Sequence, residues 1–423
     1  MATDFFAAYI VREPIYGGKI MNKGYGRTAL SCYAGVVNQS IITNVTALLF
    51  VPFIQLYGFS LVRLGLLTAV NFAAQVCADL FLLFFIDKCS LKKLAIAASA
   101  MSFAGLLFYG FVPLLFSGEL VYAGIVLATC VFAFSGGMLE VVLSNVADRL
   151  PSGSGVSICL LHTAYAWTQV ALAAVVWLWL GVFGTRCWNF VMFLFALIPA
   201  ATLALLARAK IDRGEGCVKV KSTIGGLYFL ALAAVFFGYG AEVTLNQWIA
   251  AFAGEALGLG EYVSEFIGMA LFAAFLGAGG LIYVKVSSKR RKFPFPALIV
   301  SSAIAGGCYL AVALLPSPVL ALVAATVCGL FVGVLSPGIM TAASDNLPQA
   351  GAWMLASLAV AADLGAAALP ATAGALADMS GMRFAFLVLS AVPFVSAVLL
   401  VFMAKHGRAK KLPVDFPTNN KNT

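Results

Sequence analysis

The feature that most constrains this chain is a succession of apolar runs, each long enough to cross a hydrocarbon layer. At about 1.5 Å rise per residue, about 20 helical residues span a core about 30 Å thick. Such runs fall near 28–57, 61–86, 94–116, 120–146, 155–181 and 188–207. After a hydrophilic stretch, six more follow near 223–254, 262–284, 295–315, 318–343, 352–375 and 384–404. In lipid the backbone must satisfy its own polar groups, so twelve apolar runs predict twelve membrane-spanning helices. Composition agrees: 62% of residues are hydrophobic and only 10% charged, against roughly 25% charged in a soluble domain. The expected fold is an all-α membrane protein, with the lipid bilayer as its solvent.

The net charge of +9 would point to nucleic acid in a soluble protein. Here the basic residues lie between apolar runs and act as topology signals, so no nucleic-acid partner is expected. With both termini cytoplasmic, only Arg63, Arg186 and Arg383 of the 26 Lys and Arg residues fall outside. The opposite orientation inverts that bias. A multi-pass protein of the plasma membrane follows, and a prokaryotic inner membrane is the expected site. Residues 1–27 carry Arg12, Lys19, Lys23 and Arg27 without an uninterrupted apolar stretch. They read as a cytoplasmic segment and not a cleaved signal; the short run Phe5–Val11 suits the membrane surface.

The two sets of six repeat one plan. Asp148-Arg149-Leu150-Pro151 closes segment 4, and Asp345-Asn346-Leu347-Pro348 closes segment 10, 197 residues later. A basic turn follows segment 2 (Asp87, Lys88, Lys92, Lys93) and another, Lys285–Lys292, follows segment 8. The division is a cytoplasmic N-terminal segment 1–27, a bundle 28–207, a linker 208–222, a bundle 223–404 and a cytoplasmic tail 405–423. Tandem halves of this kind place a small-molecule site at mid-membrane between them. Because one chain carries both halves, a monomer is expected. Channels more often reach such symmetry with several subunits, so a transporter is favoured.

Together these features resemble the major facilitator superfamily over essentially the whole chain. The turn Asp87-Lys88-Cys89-Ser90-Leu91-Lys92-Lys93 is similar to that family's acidic–basic loop between helices 2 and 3, with Ser90 where the signature has glycine. The resemblance implies a gating role for Asp87, Lys88, Lys92 and Lys93. Within the superfamily, Gly136-Gly137-Met138-Leu139-Glu140, with Leu161-His162 in the next segment, resembles the fucose–proton symporter branch and its sodium–glucose relatives. So does Gly240-Ala241-Glu242-Val243 with Trp248 after it. Segment 1 lacks the acid used by that branch and offers Asn38, Gln39 and Asn44 instead.

Five ionisable groups fall inside segments away from their ends: Asp79, Glu140, His162, Glu242 and Asp363. Each costs about 2.5–3.5 kcal/mol at mid-bilayer and so needs a reason to be there. Asp79 and Glu140 each lie eight residues before the cytoplasmic Asp87 and Asp148, which is about 12 Å at 1.5 Å per residue. The other three reach similar heights, so all five converge on one layer. That layer holds no Lys or Arg, whereas phosphate or carboxylate sites use Arg or Lys to bind their anion. Carboxyls in low dielectric favour their protonated form, which suits proton coupling; sodium or a cationic substrate remains an alternative.

Glu140 is the leading proton carrier, with His162 able to share its proton and Glu242 facing them from the other half. For each the bland reading is a hydrogen bond between helices, or for Glu242 a cap on a break near Gly238 and Gly240. Asp79 and Asp363 lie in segments 2 and 11, which pack together at the half–half interface of the resembling fold, and are expected to bond across it. Amides and aromatics surround the layer: Asn38, Gln39, Asn44, Asn145, Tyr165, Trp167, Gln169, Asn246 and Trp248. Such donors, acceptors and flat rings suit a polyhydroxylated ring; for Trp248 and Asn246 the alternative is the outer interface belt. The leading expectation is a cation-coupled symporter, H+-driven, of a neutral sugar or polyol. A proton-coupled drug or metabolite antiporter is the alternative. Nine scattered cysteines without paired spacing, and the lack of nucleotide or nucleophile motifs, indicate no metal, no cofactor and no enzyme.

Overall fold

The computed structural model describes residues 25–86, 88–150, 154–211, 225–257, 261–288, 295–347 and 351–409. The described residues form fifteen α-helices and two short 3-10 turns, with no strand among them. In chain order the helices are α1 (Gly26–Asn44), α2 (Phe50–Tyr57), α3 (Leu61–Phe85), α4 (Leu91–Leu115), α5 (Glu119–Arg149), α6 (Ile158–Phe183) and α7 (Trp188–Arg208). The second set is α8 (Gly226–Leu257), α9 (Glu261–Ser288), α10 (Phe295–Leu314), α11 (Pro318–Val332), α12 (Leu335–Asn346), α13 (Gly351–Ser380), α14 (Met382–Leu389) and α15 (Ala391–Ala409).

Eleven of the expected segments are long and apolar enough to cross a bilayer. The other is the first, where α1 carries the polar Asn38, Gln39, Ser40 and Asn44 and a 3-10 turn at Ala47–Leu49 separates it from α2. Segments 10 and 12 are likewise built of two helices each, α11–α12 and α14–α15. Asp87, Pro151, Pro348, half of the basic turn Lys285–Lys292, most of the 1–27 segment and much of the linker and tail lie outside the described residues.

Helix ends follow local chemistry. Ser60, Ser157 and Ser317 precede α3, α6 and α11, and each side chain accepts an otherwise unpaired backbone N–H of the first turn. Gly184 and Gly381, separated by the same 197-residue offset as Asp148 and Asp345, take φ of 79° and 85° before segments 6 and 12. Only glycine adopts that backbone without a steric penalty, so the repeat extends to the turn geometry.

The first half packs through α4–α5 and α4–α7, and the second most extensively through α8–α13. Two seams join the halves, α6 against α9 and α3 against α13. These pair segment 5 with 8 and segment 2 with 11, which exchange under the repeat, so the seams are related by a pseudo-twofold axis. In the first half an aromatic cluster of Phe53, Tyr109, Phe132 and Trp188 fills the core, with Trp188 edge-on to Phe53 at a centroid distance of 5.0 Å. A second apolar core runs continuously through both halves. Large apolar side chains such as Leu114, Leu127, Val182, Leu197, Phe229 and Ile282 face outward, as a hydrocarbon environment requires.

The helices alternate direction, so one face carries the connection between the halves and the ends of α3, α5, α7 and α12. On this linker face the Lys92 ammonium donates to the carbonyls of Ala207 (3.0 Å) and Ala209 (2.8 Å), closing the end of α7. Lys92 therefore binds within its own half and not across a seam. Lys88 lies 5.2 Å from the Phe85 ring centroid and Lys93 is exposed. Contacts between the halves on this face come from elsewhere. Ser344 donates to Asp148 Oδ1, and Cys159 Sγ lies 3.8 Å from Thr341 Oγ1.

Candidate functional site

A narrow cavity opens between the halves, from mid-membrane toward the linker face. Val36 and Gln39 of α1, Glu140, Leu143 and Ser144 of α5, and Ile158, Leu161, His162 and Tyr165 of α6 line one side. Tyr239 of α8 and Ser336, Pro337 and Met340 of α12 line the other. Pro337 stands at the repeat-equivalent position of Glu140, so the acid of one half faces an imino acid of the other.

Glu140 is held by the first half alone, with Gln39 Nε2 donating to its Oε2 at 2.8 Å. Gln39, expected to serve the substrate, lines the cavity, and its amide also orients the carboxyl. His162 was expected to share a proton with Glu140. Its Nε2 lies instead 3.3 Å from Oε1 of Glu242, across the gap between α6 and α8. The distance suits an ion pair, and neither His162 Nε2 nor Glu242 Oε2 has a hydrogen-bond partner. Glu140 stays within electrostatic reach of both. The His162 ring stacks on Tyr165 with planes 11° apart, and Asn44 Nδ2 donates to the Tyr165 hydroxyl at 2.8 Å. α8 runs unbroken from Gly226 to Leu257, so Glu242 caps no helix break.

The remaining expected residues divide by helix face. Gln169 Nε2 donates to Asn246 Oδ1 at 3.1 Å, a further polar link between the halves. Asn145 donates to Val141 of its own helix (2.8 Å) and is buried away from the cavity. The Trp167 indole lies against Gly277 of α9, and Trp248 packs on α13, donating to the Pro370 carbonyl at 3.4 Å. Trp167 and Trp248 thus fill helix contacts rather than the cavity wall. Asn38 is fully buried and neither of its amide atoms has a partner. Asp79 and Asp363 meet across the α3–α13 seam within hydrogen-bond reach of each other.

Four cavity-lining residues, Tyr239, Ser144, Ser336 and Met340, were not anticipated from the sequence, nor were Asn71 and Gln75, which form a stripe with Asp79 on α3. Gln75 donates to Asn71 Oδ1 at 2.7 Å, and Asn71 donates to the Ile42 carbonyl at 3.2 Å. The four-residue spacing of that stripe was a readable signal, because it places all three on one helix face. A Cβ at Gly137 would stand 2.8 Å from the Gln75 carbonyl oxygen. That glycine therefore lets α5 approach α3 and hold Glu140 beside the seam.

The site offers two carboxyls, one imidazole, two phenols, an amide and two hydroxyls, and no Lys or Arg lines it. Chemically it can take up and release protons and bind neutral hydroxyl groups.

No family model and no curated protein matches the sequence. Solved structures do match in fold. The E. coli fucose:proton symporter superposes with a TM-score of 0.68 at 15% identity, covering 90% of this chain and 99% of that one. The proton:xylose symporter bound to 6-bromo-6-deoxy-D-glucose gives 0.75 at 12% identity, over 91% of this chain and 96% of its own. A second structure of that fucose symporter, a major facilitator superfamily transporter in the outward conformation, gives 0.67 at 15%, over 89% and 98%. The chain has the major facilitator fold.

Proposed function

We propose that this chain, built on the major facilitator fold, is a secondary active transporter that couples proton entry to uptake of a neutral sugar or polyol. The observation that carries the proposal is the layer joining Gln39–Glu140 in one half to His162–Glu242 between the halves, beside a cavity without fixed cations. Likeness in fold to proton symporters of fucose and xylose supports the same reading.

In this mechanism Glu140 carries the proton. Protonated, it is neutral and leaves the cavity hospitable to a hydroxylated solute, which Gln39, Tyr165 and Tyr239 contact. Rocking of the two halves separates His162 from Glu242 and exposes Glu140 to the outer face, where proton and solute bind; the return to the arrangement described here opens the cavity to the linker face, where both leave. The linker face is assigned to the cytoplasm, because Lys88, Lys92, Lys93 and Arg208 gather there while Arg63, Arg186 and Arg383 lie at the other end. The protein then acts as a monomer in the plasma membrane, a prokaryotic inner membrane in the first instance. Sodium is the alternative coupling ion.

Proteoliposomes separate coupling from binding. Glu140→Gln is expected to abolish accumulation driven by a pH gradient while solute exchange at equal pH persists. Loss of both together, with folding intact, would sink Glu140 as the proton carrier. A second reading has its own support: Val36, Leu143, Ile158, Leu161 and Met340 make part of the cavity wall apolar. That wall suits an antiporter of amphipathic cations, and proton release on adding cationic dyes, without any response to polyols, would favour it.

A further inference from the structure

We propose that the Asp79–Asp363 carboxyl pair is a second proton-binding site, set in the seam between the halves and separate from the cavity around Glu140. Asp79 comes from α3 and Asp363 from α13, the two helices of one seam, and their side chains are 1% and 2% exposed. The two carboxyls meet within hydrogen-bond reach. An ionised carboxylate only accepts hydrogen bonds, so contact between two of them requires a proton on one. The outer oxygens, Asp79 Oδ1 and Asp363 Oδ2, are buried with no partner, where a full negative charge would be uncompensated.

The surroundings point the same way. Glu140 of α5 and, for Asp363, Tyr239 of α8 lie within electrostatic reach, and none of the charges acting on the pair is a cation. Among the described residues no group of three or more His, Cys, Asp or Glu side chains could hold a metal ion. A proton is the ligand this geometry fits. Neither carboxyl lines the cavity, so the site fills without a transported solute.

The consequence follows from the place of the pair. A shared proton links α3 to α13 and favours the closed seam. Its loss to water leaves two like charges in contact and drives the helices apart. Proton occupancy of the seam therefore biases the rocking equilibrium independently of Glu140, which makes the site an addition to the transport reading rather than a restatement of it.

Infrared difference spectroscopy on the full chain in lipid nanodiscs tests the assignment with no solute present. The expected result is a protonated-carboxyl C=O band at neutral pH that shifts with carboxyl-labelled (carbon-13) aspartate, persists in Glu140→Gln and is lost in Asp79→Asn/Asp363→Asn. Spin labels at the exposed Leu66 and Met379, on α3 and α13, should report a longer distance as pH rises through the loss of that band. Should the double variant not fold, Asp363→Asn alone must diminish the band. A band insensitive to labelled aspartate, undiminished by these substitutions, or removed by sodium at constant pH overturns the proposal. Absence of polyol uptake with the band intact overturns the transport reading instead.

Discussion

Replacing Gly280 with alanine should bias the molecule against the arrangement described here. Gly280 lies on α9 opposite Thr163 of α6, at one of the two seams. A Cβ built there overlaps Thr163 Oγ1 outright and stands 3.1 Å from Thr163 Cβ, where ordinary carbon contacts are about 3.5–4.0 Å. Rotating the hydroxyl away would break its bond to the Cys159 carbonyl (2.7 Å) and still leave the tight Cβ contact. Overpacking of this kind costs about 1–3 kcal/mol. Where two bodies can part instead of absorbing the strain, the cost appears as a population shift of about 5- to 150-fold. Electron–electron distance measurements between labels at the exposed Leu178 and Leu271, in a background free of native cysteines, should show a longer component growing in Gly280→Ala. Thr163→Ala in the same chain removes the overlapping oxygen and should restore most of the original distribution. An unchanged distribution in Gly280→Ala, or no recovery in the double variant, would refute the argument that this seam opens as a unit.

Other outcomes follow from the same contacts. Gly365→Ala should lower thermal stability by about 1–3 kcal/mol, read as a melting shift in detergent. Its Cβ would collide with the backbone carbonyl of Phe236 inside one half, which cannot rotate away. Lys92→Met should cost about 0.5–1.5 kcal/mol for the lost hydrogen bonds to Ala207 and Ala209, with transport rates within twofold of wild type because the bonds stay in one half. Glu242→Gln should leave solute affinity within a few-fold but flatten the pH dependence of uptake, since His162 loses its partner across the gap. A pH profile unchanged from wild type would separate that pair from coupling.

Much of the fold was legible from the chain. Apolar length gives the segments, the recurrence of Asp148-Arg149-Leu150-Pro151 in Asp345-Asn346-Leu347-Pro348 gives the halves, and the turns at Gly184 and Gly381 repeat in conformation as well as in sequence. The acidic layer was legible because counting along a helix fixes height. Counting does not fix which way a side chain points. At 3.6 residues per turn, one position's difference swings a side chain by about 100°. That is why Asn145 turns to its own helix while Ser144 lines the cavity, and why Trp167 meets Gly277 instead of open space. Pairing between halves was equally hidden. Nothing along the chain says that His162 meets Glu242 while Glu140 takes Gln39, since those partners depend on how two bundles dock.

The central claim is that proton and neutral solute move together through one gap. It is tested most directly by recording external pH when a polyol is added to proteoliposomes in weakly buffered medium with no preset gradient. The account predicts alkalinisation that tracks uptake of labelled solute, independent of sodium and absent in Glu140→Gln. Uptake without any pH change, or acidification on adding solute, would contradict it.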